Sequence, residues 1–305
     1  MYPQALLGQL GKLTEQQQKL QNQVSTGLRL NEASDDPGAA RKVMLWQAEK
    51  SALNQYRNNI ETQQDIATSN TGLLQSLKTL SNRANEIAVQ ADGTWSEESL
   101  NVYATELDGL IEQAVSLGNT RFSGKYLLSG TASDTLPFEV TRDASDRITG
   151  VSFNGNASTS SIEVAPGTTL SAQWVGGNDG TGSETGLLQD AGQDVDLFRD
   201  LISLRDHLLT ADVQAIQETD IQRLQADEDH LIHFMGISGT MQARMETHLA
   251  TLNDQEFAIS GMISKEGDAD IAATIVRLNE VQYAYQAALQ SGAKIMNRSL
   301  MDFLR

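Results

Sequence analysis

Residues 4–49 read QALLGQLGKLTEQQQKLQNQVSTGLRLNEASDDPGAARKVMLWQAE, and the spacing of their apolar side chains decides the fold. Leu6, Leu10, Leu13, Leu20, Val24 and Gly27 recur at alternating steps of four and three, with Gln17 filling the one polar slot. Such a seam suits a helix packed lengthwise on another helix, not one lying over a broad globular core. Gly27 permits the chain to leave the helical region, and Asn31-Glu32-Ala33-Ser34-Asp35-Asp36-Pro37 follows as a connector. Asp36 is placed to N-cap a second helix, with Pro37 at its first position. The adjacent carboxylates of Asp35 and Asp36 are therefore read as helix-start chemistry rather than as an acid–base pair.

Composition narrows the function classes. The chain of 305 residues has 22 basic and 40 acidic side chains, a formal charge of −18. That leaves no basic footprint for a nucleic acid and disfavours an anionic membrane surface. Aromatic residues make up only 5% while Gln, Asn, Ser, Thr and Ala abound, as expected of long helices with thin apolar seams. The sequence has no Cys, so it offers neither disulfides nor thiolate metal sites. No apolar run reaches the roughly 18 residues of a bilayer-spanning helix. No basic start leading into an apolar core marks a cleavable signal peptide. By these rules the chain is cytosolic, or leaves the cell by a route that needs no cleaved signal.

From Pro37 to about Gln90 the residues Val43, Trp46, Tyr56, Ile60, Ile66, Leu73, Leu77, Leu80, Ala84 and Ile87 predict one helix, which at ~50 residues extends about 75 Å. Asp92-Gly93-Thr94 breaks it, and Ser96 with Glu97 and Glu98 starts the next. Leu100, Tyr103, Leu107, Leu110, Ala114 and Leu117 form that helix's seam before Gly118-Asn119. The texture then turns β-prone in Lys125–Leu128, Phe138–Thr141, Ile148–Phe153 and Ser161–Val164. Asp143–Asp146, Asn154-Gly155-Asn156 and Ala165-Pro166-Gly167 supply turns, so a small antiparallel insertion is expected at about 122–176, ending near Trp174. Gly176–Gly186 reads as a flexible connector. Helical spacing returns with Val195, Phe198, Leu201, Leu204 and Leu208, and continues through Ile221, Leu224, Leu231, Met235, Met245, Leu249, Leu252, Ile259 and Ile263. Gly236-Ile237-Ser238-Gly239 marks an interruption, and Gly267-Asp268-Ala269-Asp270 caps a last helix holding Ile271, Ile275, Leu278, Tyr285, Leu289 and Met296.

The expected fold is mainly α: a long antiparallel helical rod or coiled coil built from the N- and C-terminal segments, with a small β-rich insertion between them. Residues 1–121 and 187–305 are its two halves, and 122–186 the insertion with its connector. The terminal heptads have no partner within themselves, so they are expected to pair with each other. Alone in water such seams are marginal. The ends are therefore expected to move in the free monomer, and strong amide-exchange protection throughout 4–30 and 275–305 counts against that.

Two stretches carry a resemblance. Gln23-Val24-Ser25-Thr26-Gly27-Leu28-Arg29-Leu30-Asn31, followed by Ser34-Asp35-Asp36-Pro37-Gly38-Ala39-Ala40, resembles the N-terminal signature of the bacterial flagellin superfamily. The stretch Ala272–Val276 through Gln282–Leu289, with the ending Ser299-Leu300-Met301-Asp302-Phe303-Leu304, is similar to its terminal helix. Asp-Asp-Pro and Met-Asp-Phe-Leu lie closer to the branch that joins hook to filament than to filament flagellin, which usually has Ala after the paired Asp. Members usually carry several more residues ahead of Met1-Tyr2, so the extreme N-terminal assembly segment is expected to be shortened here.

The resemblance implies a non-enzymatic structural subunit of the extracellular flagellum, exported through the flagellar type III apparatus. Its implied partners are other copies of itself in a ring, the preceding hook-associated protein, flagellin and an export chaperone. Leu6, Leu10, Leu13, Leu20 and Val24, the segment with Arg29, Asp35 and Asp36, and Ile275, Leu278, Tyr285, Leu289 and Phe303 are the candidate assembly residues, acting by packing. Filament flagellin is one alternative. A coiled-coil adhesin or sensor module that binds a ligand through 122–176 is another.

Other chemistry is weaker. His230 and His233 beside Asp227, Glu228 and Asp229 place two imidazoles and a carboxylate within a helical turn, a conceivable zinc or nickel site. A solvated acidic face explains them better. Asn178 and Asp179 are too few for a calcium loop. Neither a Gly-x-Ser-x-Gly elbow nor a phosphate-cradling glycine motif is present. No catalytic residue, cofactor or metal is expected.

Overall fold

The computed structural model describes residues 2–91, 93, 95–180 and 184–303, the side chains of 2, 3, 5 and 295–303 excepted. The chain forms two compact units: residues 1–54 with 253–305, and residues 55–252.

Helices α1 (Tyr2–Thr26), α2 (Pro37–Gln90), α6 (Ile221–Gly267) and α7 (Ile271–Phe303) supply the first unit, α2 and α6 contributing to both. The expected starts hold. Ala39 donates its N–H to Asp36 Oδ1 at 3.1 Å, and Ala273 donates to Asp270 Oδ1 at 3.0 Å, so each carboxylate satisfies a free first-turn amide. α2 runs for 54 residues and stops at Gln90. Of the break expected at Asp92-Gly93-Thr94, Asp92 and Thr94 lie outside the described residues, while Gly93 has φ +83°.

In the second unit, Ser96 N-caps α3 (Glu97–Gly118). The buried face of α3 is Leu100, Ala104, Leu107, Ile111, Ala114, Val115 and Gly118. The expected seam members Tyr103, Leu110 and Leu117 flank it half-buried, because small side chains at 104 and 118 let neighbours approach most closely.

Strands β1 (Arg121–Phe122) and β2 (Lys125–Tyr126) pair antiparallel, as do β3 (Phe138–Arg142) with β4 (Ile148–Phe153) and β5 (Ile162–Ala165) with β6 (Thr168–Leu170). β7 (Val175–Asn178) pairs parallel with β8 (Gly186–Asp190), which pairs antiparallel with β9 (Val195–Asp196). The insertion is therefore not purely antiparallel. The linker expected at Gly176–Gly186 is strand at both ends; its Thr181, Gly182 and Ser183 lie outside the described residues. Val195 belongs to β9, and Asp196 N-caps α4 (Leu197–Leu209).

After α5 (Val213–Ala215), a π-turn at Ile216–Asp220 leads into α6. The interruption expected at Gly236–Gly239 is absent, for α6 passes through without a break. Two helical glycines cost about 1 kcal/mol each. Burial of Leu231, Phe234 and Met245, and the 2.9 Å bond between Ser238 and Thr71 hydroxyls, outweigh that.

Leu127, Leu128, Phe138, Ile148, Trp174, Leu187 and Leu188 of the β region share one apolar core with Leu74, Leu77, Ile87, Leu107, Leu201 and Leu204 of the helices. Polar teeth on α2 fix the register. Gln63 Oε1 accepts from Ala172 N–H, and Asn70 Nδ2 donates to Ala172 C=O, each at 2.7 Å. The two side chains stand one heptad apart and together satisfy both backbone groups of a buried residue.

Candidate assembly site

The site begins where α1 ends. Gly27 takes φ +72°, which L side chains rarely adopt, and its N–H closes on Gln23 C=O at 2.9 Å. The released strand meets the break between α6 and α7: Arg29 N–H donates to Gly267 C=O at 2.7 Å, and Ala269 N–H to Gly27 C=O at 2.8 Å. Arg29 then spans the junction. Its Nε and Nη2 donate to Glu266 C=O at 3.1 and 2.6 Å, and Nη1 reaches Asp36 Oδ2 at 3.3 Å. One guanidinium thus caps the C-terminus of α6, where a cation suits the helix dipole, and braces the N-cap of α2.

Asp35 folds the connector onto itself. Its Oδ2 accepts from Asn31 and Glu32 N–H, and its Oδ1 lies 2.8 Å from Lys19 Nζ. Lys42 Nζ meets Glu266 Oε1 at 3.0 Å. The segment Arg29–Asp36 is therefore an intrachain knot that joins four helix ends. Gly267, which opens the Gly-Asp-Ala-Asp break, was legible as a helix end, whereas Glu266 had no signal in the sequence beyond its place beside that break.

The knot has a pH signature. Lys19 first, then the Glu32 amide, hold the Asp35 carboxyl below the usual carboxylate range; the Ala39 amide first, then Arg29, do the same for Asp36. Both contributions to folding are full at neutral pH. They fade once pH falls below the unfolded carboxyl value of about 4 and on through the lowered folded values. Amide exchange at Arg29 and Ala269, corrected for its intrinsic pH dependence, should accelerate in that acid window and not between about pH 5 and 8. Asp36→Asn should flatten the response, and an equally steep acid response in that variant would remove Asp36 from the account.

The other part of the site is the α1–α7 seam. On α1 the half-buried positions include Leu6, Leu10, Leu13, Gln17, Leu20 and Val24. On α7 the buried Thr274 and Gly292 and the half-buried Leu278, Val281, Tyr285 and Ala288 line the facing side, stepping 4-3-4-3-4. The helices run antiparallel, with Leu6 beside Gly292 and Leu28 beside Asp268. A Cβ at Gly292 would lie 2.5 Å from Leu6 Cδ2, so glycine is what lets the two backbones come this close. Thr274, Ala288 and Gly292 were missed because the face that sits nearest its partner is lined by small residues, while apolar size draws attention elsewhere. Ile275 and Leu289 are 42% and 46% exposed, so their packing is not within this chain. Val276 and Tyr283 are also exposed, on the far side of α7. Phe303 lies in the final turn of α7, its side chain outside the described residues.

The weaker candidates resolve simply. His230 is buried with Nε2 2.8 Å from Gly186 C=O, and His233 is exposed. Asn178 Nδ2 donates to Glu184 C=O, and its Oδ1 accepts from Gly180 N–H, each at 2.8 Å. Among the described residues no group of three or more His, Asp or Glu is placed to hold a metal ion. Nor is any described helix long and apolar enough to cross a membrane.

Residues 2–133, which hold the Arg29 half of the knot and all of α1 to α3, match the family of the bacterial flagellin N-terminal helical region. Flagellar hook-associated protein 3 of Escherichia coli K12 is 24% identical over 308 residues, covering 94% of this chain and 93% of that protein. The chain resembles the bacterial flagellin superfamily. Within this superfamily, a flagellin of Listeria innocua is 21% identical over 286 residues, covering 92% of this chain and 88% of its own. Among solved structures, Bacillus cereus FlgL shares the fold with a TM-score of 0.58 at 21% identity, covering 72% of this chain and 99% of its own.

Proposed function

We propose that this chain is a member of the flagellin superfamily, and a structural, non-enzymatic subunit of the extracellular flagellum that joins hook to filament. Subunits assemble through their terminal helices into a ring, one surface meeting the preceding hook-associated protein and the other meeting flagellin. The observation that carries this reading is the likeness to flagellar hook-associated protein 3 along 94% of the chain, a span that takes in both halves of the knot and the α1–α7 pair. Ile275, Val276, Tyr283 and Leu289 support it as well, since these exposed apolar side chains are left for a neighbouring molecule to cover. Export through the flagellar type III apparatus, with a chaperone over the same C-terminal helix until then, completes the proposal.

Complementation tests it. The full-length gene, placed in a flagellated strain lacking its own hook–filament junction protein, should restore long filaments attached to hooks. Hooks without filaments, with flagellin shed into the medium, would count against the junction role. The likeness to Listeria flagellin keeps one second reading, a filament subunit. Purified filament flagellin grows long filaments from seeds, whereas a junction protein caps hooks and stops. Leu289→Glu should weaken both ring assembly and chaperone affinity more than tenfold. Because residue 289 is exposed, the monomer's stability should stay within about 0.5 kcal/mol. Unchanged affinity for both partners would remove this face of α7 from the interface.

A further inference from the structure

Asp227 has no part in the assembly reading, yet its surroundings are unlike those of any other carboxylate described. It lies on α6 within the unit of residues 55–252, is 2% exposed, and neither oxygen has a hydrogen-bond partner among the described residues. Buried carboxylates are ordinarily paired or hydrogen-bonded, because an ionised orphan is strongly destabilising. The cations around it are directed elsewhere. On α4, Arg199 Nε is 2.9 Å from Asp200 Oδ1 and its Nη1 is 2.8 Å from Asp194 Oδ1. On α6, Arg223 Nη1 lies 3.8 Å from the same Asp200 oxygen. One turn further on, His230 donates from Nε2 to Gly186 C=O of β8. Lys78 of α2 lies 3.5 Å from Glu228. The acidic groups acting on Asp227 are Asp200, itself 1% exposed, and Asp196 at the start of α4.

We infer that Asp227 is a proton-binding element linking the stability of this unit to pH: folded, it keeps its proton at neutral pH, and it loosens the α4–α6 packing as the solution turns alkaline. Burial, followed by the like charges of Asp200 and Asp196, pushes the carboxyl up to about 8, and Arg199 and Arg223 offset this only in part. In the unfolded chain the same group titrates near 4. Between those values the folded state binds one more proton than the unfolded state. Unfolding is therefore favoured as pH rises, by up to about tenfold per pH unit, and levels off above about 8. The sign is opposite to that of Asp35 and Asp36, whose knot weakens in acid.

The test compares the full-length chain with Asp227→Asn. Native-state amide exchange at Leu201, Leu204, Leu224 and Leu231, corrected for intrinsic rates, reports the opening constant at pH 5.5, 6.5 and 7.5. The wild-type constant divided by that of the variant should rise about tenfold at each step. A ratio that stays constant across the series overturns the inference. Should the variant not fold, the carboxyl ¹³C shift of Asp227 in the wild type decides. A midpoint well above the ordinary carboxylate range supports the proton site, and one near 4 overturns it.

Discussion

Replacing Arg205 with alanine should destabilise the unit of residues 55–252 by roughly 3–5 kcal/mol, the range for removing one member of a buried charged network. Arg205 is 2% exposed, yet its guanidinium serves three elements. Nη1 donates to Asp108 Oδ1 of α3 at 3.0 Å and to Ile148 C=O of β4 at 2.6 Å. Nε and Nη2 donate to Asp206 Oδ1 at 2.8 and 2.6 Å. Asp108 and Asp206 keep enough exposure to find water once the arginine is gone. Ile148 is 2% exposed, and its carbonyl loses the guanidinium that donates to it. Methionine should recover about half of the loss, because it refills the volume without restoring the bonds. Lysine should do no better, since one ammonium cannot fork to three acceptors lying in different directions. Urea unfolding followed by the fluorescence of Trp174, which packs on Phe234 in the same unit, gives the comparison. Equal stability of the alanine variant and the wild type would mean that the β3–β4 hairpin is held by its apolar contacts alone.

The seam of α1, the Gly27 exit, the Asp36 cap and the length of α2 were legible because each depends on local spacing and on residue types with one strong preference. What lies between distant segments was not. Arg205 next to Asp206 reads as a solvated surface pair; its burial follows only from α3 and β4 closing over α4. Gln63 and Asn70 read as polar gaps in a helical stripe, yet they hold both backbone groups of Ala172. For the candidate site the α1 half was readable, and of the α7 half Leu278 and Tyr285 were readable while Thr274, Ala288 and Gly292 were not. Large apolar residues are easy to find, but a close helix pair selects small ones, and Ile275 and Leu289 turned outward while Ala288 and Gly292 turned in. Gly236 and Gly239 erred the other way, as breakers that a long buried face overrules.

The glycines after Trp174 show the same effect with a measurable consequence. In sequence Gly176-Gly177 opens a linker, but in the fold both are buried strand residues. The ring of Phe138, 1% exposed, sits against Phe153 and Phe198 with centroids 5.5 and 5.0 Å away. A Cβ at Gly176 would lie 2.7 Å from Phe138 Cζ and 3.0 Å from Leu128 Cβ, and one at Gly118 would lie 2.7 Å from Phe138 Cδ2. The ring therefore occupies a slot whose two walls carry no side chain. Phe138→Ala should cost roughly 3–5 kcal/mol through lost burial and the cavity that remains. Gly176→Val should cost about 1–3 kcal/mol by overfilling the slot. The two positions share one volume, so shrinking the ring should make room for the valine. In a double-mutant cycle, Phe138→Leu with Gly176→Val should lose at least about 1 kcal/mol less than the sum of the single losses. Strict additivity, or a harmless Gly176→Val, would return Gly176 to the role of a linker residue and leave the Phe138 slot to be explained by Gly118 alone.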